Sequence, residues 1–375
     1  MKDADEIYKP QIKQNVLVDG VAAETVASGE IGTMIQKDFI HSSQPEFSLI
    51  ANNLISLINP PVTNIDKLLV IIKKDNTAKI YAEFPIVASI RGKKDVKKED
   101  LITVEEIADI DTIEFRDLEH EINIEETDKV VFLFRAGWRF GLYFNFTKSL
   151  DMPTLKKELG YYYKRLLYYD LYSFIENDNN FDTLVKDGWF PFIRLIGKNF
   201  DKIMQYYKEG KKNNFQIDEL IAEYTKEKIE SFTQYWWRKE LFKDKKDIIE
   251  AGIWCFLQNN KCGFIACLST LYPQIEGIMG TDYFKANGRN LKHEELLEYI
   301  KHKAEKKFNT VSSTGFPSKF YEYLKRTLFE NFDITSGKLD LSRHTVSHGF
   351  ASAEDFNKAK ALQAILILDQ IYFYL

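Results

Sequence analysis

The chain has 375 residues, 45% apolar and 29% charged, which excludes a disordered polymer and exceeds what one hydrophobic core usually serves, so two domains are expected. A net charge of −5 and a pI near 5.8 exclude a global field that draws in nucleic acid, so any such binding must use a local basic patch. Cys255, Cys262 and Cys267 lie in apolar surroundings without C-x-x-C spacing. Residues 1–6 lead into no apolar run, and no stretch is long enough to span a bilayer, so a reduced, cytoplasmic protein is expected.

In chain order, residues 1–30 are polar, with a Val-Asp-Gly turn at 18–20, and read as a flexible arm. Residues 46–58 set Leu49, Ile50, Leu54, Ile55 and Ile58 at helical spacing and run into Asn59-Pro60-Pro61, which predicts a short helix. Segments 67–73 and 78–84 read as strands split by Lys74-Asp75-Asn76-Thr77, a polar turn that suits a hairpin. Residues 92–100, dense in Lys and Asp, read as a solvated loop. The clearest strand pair is 130–135 with 139–146, joined around Ala136-Gly137-Trp138. Leu142, Phe144 and Phe146 alternate there with Tyr143, Asn145 and Thr147, which predicts one apolar and one wetter face. Residues 31–150 are therefore expected to form an α+β domain with an antiparallel sheet, with an unknown ligand and a regulatory role under consideration.

Asp151-Met152-Pro153 marks a switch to helix. Over 154–175, Leu155, Leu159, Tyr162, Tyr163, Leu166 and Leu167 fall at helical spacing; this tyrosine-rich face reads as an aromatic core stripe, with a base-stacking surface as the second reading. Further short helices and the pair Trp236-Trp237, read as a buried joint, complete a helical connecting region at 151–245. From 246 onward the periods are regular, at 247–258, 263–279, 293–308, 318–332 and 354–374. Short connections between such helices favour antiparallel neighbours, so 246–375 is expected to be an all-α helical bundle. The last helix is apolar nearly all round at 364–368 and must be covered by the bundle or by a second subunit.

Immediately before that helix, two of the six histidines stand in Leu341-Ser342-Arg343-His344-Thr345-Val346-Ser347-His348-Gly349. A planar guanidinium donates two parallel hydrogen bonds to phosphate oxygens, and imidazole ordinarily titrates at about 6.5, so these groups suit holding a phosphate and moving protons.

The spacing Arg343-x4-His348, with a polar residue after the arginine, resembles the R-x4-6-H motif of the HEPN superfamily, the higher eukaryotes and prokaryotes nucleotide-binding domains, many of which are ribonucleases. The Arg-His-x-x-x-His-Gly wording, the linker and the apolar run 361–369 look like the bacterial, abortive-infection-like branch. Residues 269–277 resemble the helix that faces the motif there. The resemblance covers about residues 246–375 and does not reach the first 150.

The resemblance implies a HEPN-like bundle and an endoribonuclease of toxin or antiviral-defence type. In it His348 takes the proton from a ribose 2′-hydroxyl, Arg343 holds the scissile phosphate, and the product carries a 2′,3′-cyclic phosphate. His344 would orient the phosphate or act as acid on the leaving oxygen, and Glu276 matches an acidic position on an earlier helix. No metal and no cofactor is implied. RNA would be the substrate, the protein a homodimer that joins two motifs across a two-fold axis, and an antitoxin or a phage-derived activator a candidate partner.

Other readings stay open. His344 and His348 stand four apart, as on one helix face, but Thr345 follows where a zinc protease has glutamate, no third ligand is evident, and Arg343 would repel a cation. Both histidines can instead be hydrogen-bonded structural groups, in a non-catalytic HEPN-like dimerisation or nucleotide-binding module.

Overall fold

The computed structural model of the chain describes residues 6–8, 23–25, 31–33, 36–56, 66–116, 122–212, 215–289, 293–308, 313–330 and 342–375. They divide into two compact units, one within Met1–Ile90 and Ile110–Tyr169, the other within Arg91–Asp109 and Asp170–Leu375. Most of 1–30, expected as an arm, lies outside the described residues; the parts that are described are two short strands.

The first unit contains an antiparallel sheet. Its strands are β1 (Glu6–Tyr8), β4 (Lys37–His41), β5 (Lys67–Ile72), β6 (Ala78–Ala82), β9 (Lys129–Ala136) and β10 (Arg139–Asn145), in the order β1-β6-β5-β9-β10-β4. β2 (Ala23–Thr25) pairs with β3 (Ile31–Thr33), and β7 (Ile86–Gly92) with β8 (Ile107–Phe115). The two predicted hairpins are β5/β6, which pairs Ile72 with Ala78, and β9/β10, which pairs Ala136 with Arg139. β5 and β9 read as continuous apolar runs, the pattern of strands covered on both faces. One face carries Leu68, Val70, Ile80, Val131, Leu133, Leu142 and Phe144 against Ala51 of helix α1 (Phe47–Ser56).

The other face was expected to be wetter and is not. Helix α2 (Met152–Leu167) lies on it, stacking Tyr162 on Phe39 at 4.1 Å and Tyr163 on Phe134 at 5.8 Å. Tyr143 and Asn145 are buried as a result, and their polarity is met inside: Tyr143 Oη donates to Glu158 Oε2 at 2.8 Å and accepts from Asn145 Nδ2 at 3.1 Å. Thus α2 clusters with the sheet, not with the helices that follow it. The helix read over 154–175 is two, because the chain leaves helical geometry at Tyr168 before α3 (Tyr169–Glu176).

The second unit is helical. After α3 come α4 (Asp178–Lys186), α5 (Lys198–Lys208), α6 (Phe215–Ala222), α7 (Lys226–Thr233), α8 (Glu240–Lys243), α9 (Lys246–Leu257), α10 (Lys261–Asn287), α11 (His293–Phe308), α12 (Pro317–Thr327), α13 (Arg343–Ser347) and α14 (Lys358–Tyr374). Four of the five regular segments recur with shifts of a few residues at most. The exception is α10, which runs eight residues past the end expected at 279 and carries Pro273 inside it. The break expected at 336–337 lies outside the described residues.

Helix α14 is the core of this unit, with Ala361 to Ile371 buried throughout. Its covering comes from the same chain, so it does not require a second subunit. The polar groups it buries are all engaged. Asp369 accepts two hydrogen bonds from Arg194, each 3.0 Å, and one from Trp236 Nε1 at 2.9 Å; Gln370 accepts from Ile193 N at 2.8 Å and donates to the Gly315 carbonyl at 3.1 Å. Trp236 is accordingly a fully buried joint. The loop at 92–100 is only partly solvated: Lys93 Nζ donates to the Ile196 carbonyl at 2.6 Å, and burial lowers its pKa to about 8.

No helix among the described residues is long and apolar enough to cross a membrane.

Candidate functional site

The motif forms a short helix of its own rather than the start of the long apolar one. Ser342 caps α13: its backbone N–H donates to Thr345 Oγ1 at 2.8 Å and its Oγ accepts from Thr345 N at 3.3 Å, a reciprocal box that satisfies two terminal donors. Both side chains are buried, and Arg343 N donates to the Leu328 carbonyl at 3.0 Å, which fastens the start of α13 to the end of α12. At the other end His348 is the C-cap and Gly349 follows with φ of 73°. Phe350 N donates to the Thr345 carbonyl at 2.8 Å and Gly349 N to the Val346 carbonyl at 3.3 Å, the bond pattern of a Schellman stop. The left-handed turn favours glycine, so Gly349 sets where His348 ends the helix.

Four side chains singled out from the sequence come together here. Arg343 Nε lies 2.5 Å from Glu276 Oε2, with the two side chains about one-fifth exposed. The Nε hydrogen is out of line with that oxygen, so the contact is one of charge against charge rather than a directed hydrogen bond. Nη1 of the same guanidinium is 3.5 Å from His344 Nδ1. The His344 and His348 rings are parallel to within 3°, with centroids 6.5 Å apart, and His348 is exposed. The result is a string, Glu276 to Arg343 to His344 to His348, that runs from α10 across α13 to solvent.

Beside this string is a groove of about 640 Å³. Pro273, Glu276, Gly277, Gly280, Thr281 and Phe284 line it from α10, Leu296 from α11, and Arg343 from α13. The glycines keep the α10 side low: a Cβ on Gly280 would meet nothing within 4 Å. Phe284 is 50% exposed at this groove. Sequence reasoning missed Gly280, Thr281 and Phe284. The available signal was their spacing: 273, 277, 280 and 284 recur every three or four residues and share one helix face with Glu276.

Among the described residues there is no group of three or more His, Cys, Asp or Glu side chains arranged to hold a metal ion. The arrangement offers one fixed cation, two imidazoles and an open groove, which suits binding an anion and moving protons at it. Compared with known proteins, the chain matches no family model, no curated protein and no solved structure.

Proposed function

We propose that the C-terminal motif is the site of a metal-independent endoribonuclease, with a HEPN-like bundle as its frame. The observation that carries this reading is the contiguous Glu276, Arg343, His344 and His348 string at the edge of an open groove. Glu276 engages the Nε side of the guanidinium, Nη1 is next to His344 Nδ1, and a phosphate would be met from that Nη side. RNA brings its own nucleophile, so the enzyme needs a base, a charge clamp and alignment. His348 takes the proton from the 2′-hydroxyl, the 2′-oxygen attacks phosphorus, and the bond from phosphorus to the 5′-oxygen breaks. His344 returns a proton to that oxygen, leaving a 2′,3′-cyclic phosphate and a 5′-hydroxyl. The groove beside Arg343 takes the flanking strand, with the exposed Phe284 ring as a surface for a base.

The test is the end chemistry. Labelled RNA incubated with the full chain and excess chelator should give fragments ending in 2′,3′-cyclic phosphate, and His348→Ala should give none. Products with a 3′-hydroxyl, or activity that chelator abolishes, would refute the mechanism.

The same reading carries a homodimer that sets two motifs across a two-fold axis, in the setting of a toxin or antiviral-defence protein with an antitoxin or phage-derived activator. Light scattering that finds only a 43.9 kDa particle, with and without RNA, would remove the shared-site version.

A second reading has its own observation. An arginine tied to a glutamate, with its backbone fastened to a neighbouring helix, is also what a brace between α10 and α13 looks like. A non-catalytic binding module would use it so, and the stability of Arg343→Ala separates the two.

A further inference from the structure

A cavity of about 560 Å³ opens between α4, α10, α12 and α14 of the helical unit, and it shares no wall residue with the groove beside Arg343. Its deepest polar groups are fixed by the fold but not used by it. Tyr272, on α10, is 7% exposed, and its hydroxyl makes no hydrogen bond to any described residue. The oxygen is not sealed from solvent, so it opens on the cavity. Gln363, on α14, is 4% exposed. Its Nε2 donates to the Asp187 carbonyl at 3.1 Å, which fixes the amide, while its Oε1 accepts from no described residue and is open to the cavity in the same way.

The wall around these two groups is closely built. Gly188 has φ of 77°, and a Cβ there would collide with Gln363 Oε1. The Gly188 carbonyl accepts from Tyr323 Oη at 2.9 Å, so Tyr323 is satisfied where Tyr272 is not. Val185, Leu328 and Ile367, all buried, supply apolar surface.

The rim carries charge. Arg326 Nη1 donates to Asp182 Oδ1 at 2.6 Å, and Glu330 and Lys360 add one charge of each sign. Lys186 is exposed and makes no ion pair with any described residue. Three cations therefore stand against two carboxylates around the cavity.

These features select a ligand. A metal ion would meet an excess of positive charge, and a wholly apolar molecule would leave the Tyr272 hydroxyl and the Gln363 carbonyl without partners. Burial raises the pKa of Tyr272, so its phenol keeps a proton to donate, whereas Gln363 Oε1 can only accept. A ligand hydroxyl answers both, accepting from the first and donating to the second. An apolar middle suits Val185, Leu328 and Ile367, and a carboxylate at the other end suits Lys186.

We propose that this cavity binds a small organic acid with a hydroxyl at its far end, the hydroxyl held by Tyr272 and Gln363 and the carboxylate by Lys186. The site does not depend on RNA cleavage, so it stands or falls separately from the motif.

The experiment uses the full chain and para-hydroxybenzoate, a rigid acid of this kind that loses little freedom on binding. Benzoate, which lacks the hydroxyl, and para-hydroxybenzyl alcohol, which lacks the charge, are the controls. Calorimetry should find one saturable site for para-hydroxybenzoate, with each control weaker by about fivefold, the worth of one hydrogen bond or one exposed ion pair. Tyr272→Phe should erase the preference over benzoate, and Lys186→Gln the preference over the alcohol. Without ligand both variants should melt as the wild type does, because neither group has a partner to lose. No saturable heat at millimolar para-hydroxybenzoate would mean that the cavity holds water only. That result, equal binding of all three compounds, a preference that survives its variant, or a lower melting temperature in Tyr272→Phe would each overturn the assignment.

Discussion

Arg343 Nε lies 2.5 Å from Glu276 Oε2, across the gap between a five-residue helix and a 27-residue one. This contact ties the motif to the groove, and in the proposed enzyme it makes Glu276 a positioning residue for the arginine. Glu276→Gln keeps the shape and removes the charge, so RNA cleavage should fall by about fivefold, the worth of a partly exposed ion pair of about 1 kcal/mol. The loss should be smaller than that in Arg343→Ala. Single-turnover rates at saturating RNA check this, and a fully active Glu276→Gln would leave the carboxylate without a role.

For the chemistry itself, His348→Ala should lose about 10² to 10⁴ in rate and Arg343→Ala about 10² to 10³. In the proposed mechanism both groups act on one transition state, so the double variant should fall well short of the product of the single losses. Thermal melting divides the catalytic reading from the brace. A partly exposed ion pair is worth about 1 kcal/mol or less, so Arg343→Ala should stay folded; a loss of several kcal/mol would favour the structural role.

Gly349→Ala should destabilise the chain by about 1 kcal/mol, because a side chain is strained at φ of 73° although the space around it is open. The stop of α13 sets the orientation of His348, so cleavage should drop while His348 itself is intact. Denaturant titration and cleavage rates measured together test this, and unchanged activity would show that the stop does not orient the imidazole.

At the core of the helical unit, Asp369→Ala should cost about 3–5 kcal/mol, because it leaves the fully buried Trp236 indole without its acceptor and the largely buried Arg194 without its counter-charge, with only the Lys93 carbonyl left to it. Chemical denaturation or loss of soluble expression reports it. A variant as stable as wild type would mean that solvent reaches Arg194.

The pH dependence of stability carries a sign. Lys239 titrates at about 7 in the folded chain, below its ordinary 10.5, so between these values the unfolded chain binds more protons. Stability therefore rises with pH over that window, and the penalty is complete below about 7. Lys239→Met should flatten this part of the profile, with its largest gain in melting temperature near pH 7 and its smallest near pH 10. Equal gains at both would detach the effect from Lys239.

Much of this protein was legible before any fold was seen. The strand pairs around 74–77 and 136–138 follow from alternation and turn chemistry, and the helices at 247–258 and 293–308 from a 3.6-residue period, because both signals are local. That Arg343, His344 and His348 stand within one short segment was legible as spacing within a few residues. Three things were decided only by tertiary contact. The wetter face of β10 became core because α2 lies on it, and no local pattern records which helix covers a strand. Helix α14 was readable as buried but not what buries it; Arg194, Ile193 and Trp236 do so from more than 130 residues away. The compact units do not part at residue 150, for the same reason. Segment 91–109 belongs with the helices, where Thr314 N donates to Asp109 Oδ1 at 3.4 Å and Arg194 Nη1 to the Lys93 carbonyl at 2.8 Å. A chain cut at 151 would lose those partners. Composition changes along a sequence mark where helix replaces strand, but compact units follow which segments pack together, and that depends on distance in space.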